Sequence, residues 1–200
     1  GTRGGDLAAR YIAAQYIRLG LEPAGDDSTY FFKVPLISFT PNSTLSLGGT
    51  AAEYPKDFVL NPMRWDSLVT VDAPLVFVGY GIVAPEYEWN DYAGLDVKGK
   101  VVAVMVNDPG LHDSSTFKGK VLTYYARWTY KFEEAARQGA AGVLLIHTEE
   151  SATYPWGTVE GSATGRQVRL ESAPTSLKVT GWVQHDLMAR AFKAAGADLD

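Results

Sequence analysis

The chain has 200 residues, 46% hydrophobic and 20% charged, with 18 Lys+Arg against 23 Asp+Glu, no Cys and three His. That length suits one domain, or a small domain with an appendage, and the apolar fraction excludes wholesale disorder. The lack of Cys removes a disulfide framework, a Cys-based zinc finger and a thiol nucleophile, while a net charge of −5 opposes general binding to nucleic acid.

The longest apolar runs, 101–106 and 140–146, fall far short of the ~20 residues that span a bilayer, so no membrane span is expected. The chain opens Gly-Thr-Arg-Gly-Gly, without Met or an apolar signal core, which leads us to expect a processed or excised chain.

In chain order, residues 6–19 predict a helix. Ala9, Ile12, Ala13, Tyr16 and Ile17 form one apolar stripe, with Asp6 as N-cap and Gly20 and Pro23 as the stop. A turn at 23–28 leads to a strand-like run, Tyr30 to Ile37. Residues 40–66 are punctuated by Pro and Gly and predict loop with short strands at best. They include the glycosylation pattern Asn42-Ser43-Thr44, a triplet common by chance. A domain boundary is expected in 40–70. Strands are predicted at 67–72, 74–79, 100–107, 142–147 and 174–179, with helices at 121–138 and 184–195 and a polar loop at 148–166. The order strand, helix, strand over 100–147 predicts a crossover with two parallel strands. The fold class is therefore mixed α/β.

Several motifs suggest chemistry and then fail on their context. Gly79-Tyr-Gly81-Ile-Val-Ala84 follows a strand and matches the G-x-G-x-x-A dinucleotide pattern. Pro85 and two nearby carboxylates follow instead of a helix, so the anion site such a helix would supply is missing and a turn is expected. Gly161-Ser-Ala-Thr-Gly165 puts its Ser one place early for a nucleophile elbow and reads as loop. His112, His147 and His185 have no second His at helical spacing, and a metal site would have to lean on carboxylates. His147-Thr-Glu149-Glu150 ends a strand, where site residues often sit, but a capped strand end is the simpler reading.

The most unusual stretch is Tyr124-Tyr125-Ala-Arg127-Trp128-Thr-Tyr130-Lys131. As a helix it directs Tyr125, Trp128, Phe132, Ala135 and Ala136 to the core. Tyr124, Arg127 and Lys131 then fall on a neighbouring face open to solvent, a ligand or a partner. Tyr and Arg together are favoured at interfaces.

The strings "PLVFVGYGIVAPEYEWNDYAGLDVKGKVVAVMVNDPG" and "GKVLTYYARWTYKFEEAARQGAAGVLLIH" resemble the protease-associated (PA) domain inserted in secreted zinc aminopeptidases. These belong to the co-catalytic di-zinc exopeptidases related to transferrin receptor and glutamate carboxypeptidase. The opening "GTRGGDLAARYIAAQYIRLGLEPAG" resembles the first helix of the peptidase domain, and "SLKVTGWVQHDLMARAFKAAGADLD" the return toward it.

The resemblance implies a PA-type β/β/α-layered swivelling module preceded by an N-terminal helix and strand. Residues 1–40 would belong to the peptidase-like core, 41–66 would link, 67–185 would form the module and 186–200 would lead back. It implies a lid or side wall limiting access to the zinc site, with Tyr124, Arg127 and Tyr130 as the access or domain-contact face. The partners implied are the rest of the peptidase domain and a peptide substrate, with no nucleic acid, in a secreted or periplasmic setting. Two zinc ions are implied for the longer protein. Its His-x-Asp motif and adjacent Glu-Glu ligand pair lie downstream of the module, and no His-x-Asp occurs here. No catalytic or metal-ligating residue and no cofactor is therefore expected in this chain. Two other classes compete: a free-standing peptide- or protein-binding module, opposed by the unpartnered Ile12/Tyr16 stripe, and a nucleotide-dependent enzyme, opposed by Pro85.

Overall fold

The computed structural model describes residues 2–171 and 175–199. They form two units: one takes in residues 2–37 with 168–171, the other 38–167 with 175–199.

The first unit is built around α1 (Arg3–Arg18). The helix begins three residues earlier than the sequence suggests, because Thr2 rather than Asp6 caps it. The Thr2 hydroxyl accepts from the Gly5 N–H at 3.1 Å, which offsets the poor helix propensity of Gly4 and Gly5. Asp6 lies in the first turn and Arg18 in the last, each favourable toward the helix dipole. Gly20, at φ 69°, ends the helix as expected. The run from Tyr30 is not a strand until β1 (Leu36–Phe39), which pairs with β8 (Gln167–Leu170). The Lys33 N–H is held by the Asp26 carboxylate at 2.7 Å and Pro35 has no N–H, so neither can donate to a ladder.

The second unit is a five-stranded sheet in the order β2-β9-β7-β6-β3: β2 (Phe58–Pro62), β9 (Val179–Gln184), β7 (Gly142–His147), β6 (Val101–Met105) and β3 (Leu75–Phe77). Only β2 runs antiparallel. α2 (Trp128–Arg137) makes the expected crossover between β6 and β7, and α5 (His185–Ala194) follows β9. Alternation in the central strands feeds two cores. Val102, Val104, Val143 and Leu145 pack with Ala135 of α2, while Ala103, Leu144 and Ile146 pack with Leu187 and Met188 of α5. Covered on both faces, β7 is buried throughout and apolar up to its terminal His147, as a buried parallel strand should be. The fold is mixed α/β.

Three expectations need correction. Residues 67–72 form no strand, and Leu68 there is 78% exposed. The 148–166 loop contains α3 (Glu149–Ala152) and α4 (Trp156–Ala163). Thr148 caps the first, and the second buries Val159 and Ala163 against Val59 and Trp182. That burial overrides the weak propensity of Gly157, Thr158 and Gly161. The strand expected at 174–179 begins only at Val179; Pro174 lies outside the described residues.

The G-x-G-x-x-A stretch is a turn, as its context implied. Its last two residues form the short strand β4 (Val83–Ala84), a three-residue 3-10 turn follows at Pro85–Tyr87, and β4 pairs with β5 (Trp89–Asn90).

Candidate functional site

The chemistry-bearing residues of the second unit gather where β3 and β6 end and α2 begins. Past β6 the chain enters the left-handed region at Asn107, φ 78°, a conformation Asn tolerates better than most residues. This turns the Asn107 carbonyl onto Lys131 of α2, whose Nζ donates to it at 2.8 Å. Asp108, also buried, receives the Gly110 N–H at 3.0 Å and the Thr123 hydroxyl at 2.6 Å.

Lys131 is fully buried, contrary to its expected place on a solvent face. Burial pulls its ammonium down to about 7, against the opposing pull of Asp91 and Asp108. Burial likewise raises Asp91, whose carboxylate accepts the Ile82 N–H at 2.9 Å. The nearby Tyr80 is raised by burial and by Asp108 and Asp91. With Lys131 fully covered, no substrate atom reaches its amine. The cluster is a clasp that fixes the segment between β6 and α2.

That segment departs from the expected helix at 121–138, because α2 starts only at Trp128. Residues 121–127 are held in turns from below: Thr123 on Asp108, the Asn107 N–H on the Ala126 carbonyl at 3.2 Å, and Tyr125 on Glu86 at 2.6 Å. The bond to Glu86 pushes the Tyr125 phenol up to about 12. Tyr125 also meets Phe117 edge-on, and Phe117 stacks on Tyr87 at 4.5 Å.

Tyr124, Arg127 and Tyr130 therefore have different settings. Tyr124 and Arg127 are exposed, with Arg127 at the N-cap of α2. The Tyr124 hydroxyl donates to Glu133 at 2.6 Å, which raises its pKa. Tyr130 is buried; its hydroxyl accepts from the Val83 N–H and donates to the Val83 carbonyl, both at 3.1 Å. Tyr130 meets the Tyr124 ring edge-on at 5.6 Å, so it supports Tyr124 from beneath. The face α2 buries is Tyr130, Lys131, Glu134 and Ala135, whereas Trp128 is 46% exposed. Each polar member has a partner, Glu134 taking Arg137 at 2.7 Å and Gln138 at 2.8 Å.

Hydrophobic periodicity could not find Lys131, Asp91 or Asp108, since their burial depends on partners distant in sequence. The one local signal was Asn107-Asp108-Pro109 at a strand end.

His147 is a buried strand end. Its Nε2 lies 3.0 Å from the Tyr154 carbonyl, its ring contacts Tyr154, Trp156 and Trp182, and burial lowers its pKa. Glu149 and Glu150 are exposed in the first turn of α3. Among the described residues no three His, Asp or Glu side chains form a group that could hold a metal ion.

No family model matches the chain, and no curated protein matches it. Among solved structures the chain has a distant likeness to an aminopeptidase from Aneurinibacillus sp. strain AM-1. The two are 19% identical, with a TM-score of 0.39 over 99% of this chain and 37% of that one. The chain thus spans little more than a third of that protein's length.

Proposed function

We propose that the chain is the non-catalytic, protease-associated portion of a zinc-dependent aminopeptidase, and that the longer protein removes N-terminal residues from peptides. The observation that carries this reading is the first unit. Among its described residues only Ala13 is buried, while Ile12, Tyr16, Ile17, Phe31 and Phe32 stand exposed. So few buried side chains cannot offset the entropy of ordering the segment, so it needs a larger apolar body to cover it. A peptidase-like core is the body that the resemblance supplies for residues 1–40.

In this reading 41–66 link, 67–185 form the module and 186–200 return to the core. Tyr124 and Arg127 are the access or domain-contact face, with Tyr130 beneath Tyr124. The zinc ions belong to the longer protein, where they would activate water for attack on the first peptide bond. The setting is secreted or periplasmic. A free-standing binding module is the alternative, and the uncovered first unit argues against it.

The test is direct. After dialysis the 200-residue chain should hold no stoichiometric zinc and release no aminoacyl reporter. The reading frame extended beyond Asp200 should encode His-x-Asp and Glu-Glu and release the reporter in a chelator-sensitive way. A frame without those ligands, or zinc-dependent cleavage by the 200-residue chain alone, overturns the proposal.

A further inference from the structure

Between Ser114 and Phe132 the chain carries four Lys/Arg and no Asp or Glu, although the whole protein has a net charge of −5. Lys131 is buried in the clasp, which leaves Lys118, Lys120 and Arg127 exposed. The same short stretch exposes Val121 (65%), Leu122 (58%), Tyr124 and Trp128.

These side chains stand on a built support. Phe117 is held at φ 49°, a rare conformation for a bulky residue, by rings of Tyr87, Trp89 and Tyr125. Thr123 and Ala126 are pinned to Asp108 and Asn107. Fixed aromatic side chains lose little entropy on binding, which is what makes them strong interface anchors. The carboxylates that touch this stretch are engaged: Glu133 by Tyr124, Glu86 by Tyr125 and Asp108 by Thr123.

We propose that residues 118–128 form a docking surface for an acidic peptide segment bearing an aliphatic or aromatic side chain. Carboxylates of the partner pair with Lys118, Lys120 and Arg127, and its apolar side chain packs against Leu122, Tyr124 and Trp128. This deepens the reading of Tyr124 and Arg127 as a contact face and rests on it for the choice of face. The charge decides the class of partner: a basic or neutral segment would leave three exposed cations uncompensated around the apolar contact.

The experiment uses the 200-residue chain and three fluorescein-labelled hexapeptides: Asp-Glu-Leu-Phe-Glu-Asp, its Lys/Arg charge reversal, and a version with Ala for Leu-Phe. Fluorescence polarisation should show saturable binding of the first alone, weakening as salt rises. Arg127→Glu and Leu122→Asp should each weaken it about tenfold. Lys193→Glu, on α5, should leave it unchanged. All three sites are exposed, and unchanged thermal melts confirm that the variants fold. Equal binding of the charge-reversed peptide, no effect of the two patch variants, or binding to phosphatidylserine vesicles in place of the peptide overturns the proposal. Because the readout is binding and not cleavage, an inactive extended protein would overturn the peptidase reading without altering this result.

Discussion

Strand β7 buries all six of its residues, whereas α1, with sixteen, buries one. Both are clearly patterned in sequence, β7 as a continuous apolar run and α1 as a periodic stripe. The difference lies in what covers them. β7 has a helix on each face and a strand on each side within its own unit, and the α1 stripe has no comparable cover among the described residues of its unit. An apolar stripe announces that a partner exists and leaves open whether that partner is in the same chain.

The largest expected effect tests that contrast at single side chains. Leu145→Ala removes a fully buried side chain beneath α2 and should cost about 2–5 kcal/mol in denaturant unfolding. Ile17→Ala, in the exposed stripe, should change stability by less than about 0.5 kcal/mol. If the two prove alike, the units do not differ in burial as described. Gly181→Ala should come close to the first effect, because its Cβ would sit 2.5 Å from the Val59 carbonyl oxygen inside the sheet.

Lys131 provides a pH-dependent version of the same test. Its ammonium titrates at about 7 when buried and near 10.5 when unfolded. Between those values the unfolded chain holds a proton that the folded chain lacks, so stability rises with pH and levels off below about 7. Melting from pH 7 to 9.5 should show that rise in the wild type and lose most of it in Lys131→Met. That window stays below the tyrosines, whose raised values act in the opposite sense above 10. Thr123→Val, which strips the hydroxyl from buried Asp108, should cost about 1–3 kcal/mol.

The smallest effect concerns the cap. Thr2→Ala should cost α1 about 1 kcal/mol and leave the melting of the second unit unchanged. By hydrogen exchange, α1 amides should exchange orders of magnitude faster than those of β7, and faster still in the variant. Equal protection would mean that α1 has cover within the chain.

Some of the fold was open to reading because its signals are local. The runs at 101–105 and 142–147, the stripe Leu187, Met188, Ala191 and Phe192, and the stops at Gly20 and Gly196 depend on nearest neighbours, and all found their elements. The misses follow one cause. Residues 121–127 have a helical stripe, but Thr123, Tyr125 and Ala126 are bound by Asp108, Glu86 and Asn107. α4 lacks propensity and forms because Val159 and Ala163 are buried. At the candidate site, the exposure of Tyr124 and Arg127 followed from the pattern, while the burial of Tyr130 and Lys131 did not.

Composition alone excluded disulfides and thiol chemistry, the shortness of the apolar runs left no membrane-length apolar segment, and periodicity established the α/β class and the β6–α2–β7 crossover. Tertiary structure decided which polar groups are buried. A charged side chain enters the core only when a partner meets it, and for Lys131 that partner, the Asn107 carbonyl, lies 24 residues away. Such a partner leaves no period in the sequence.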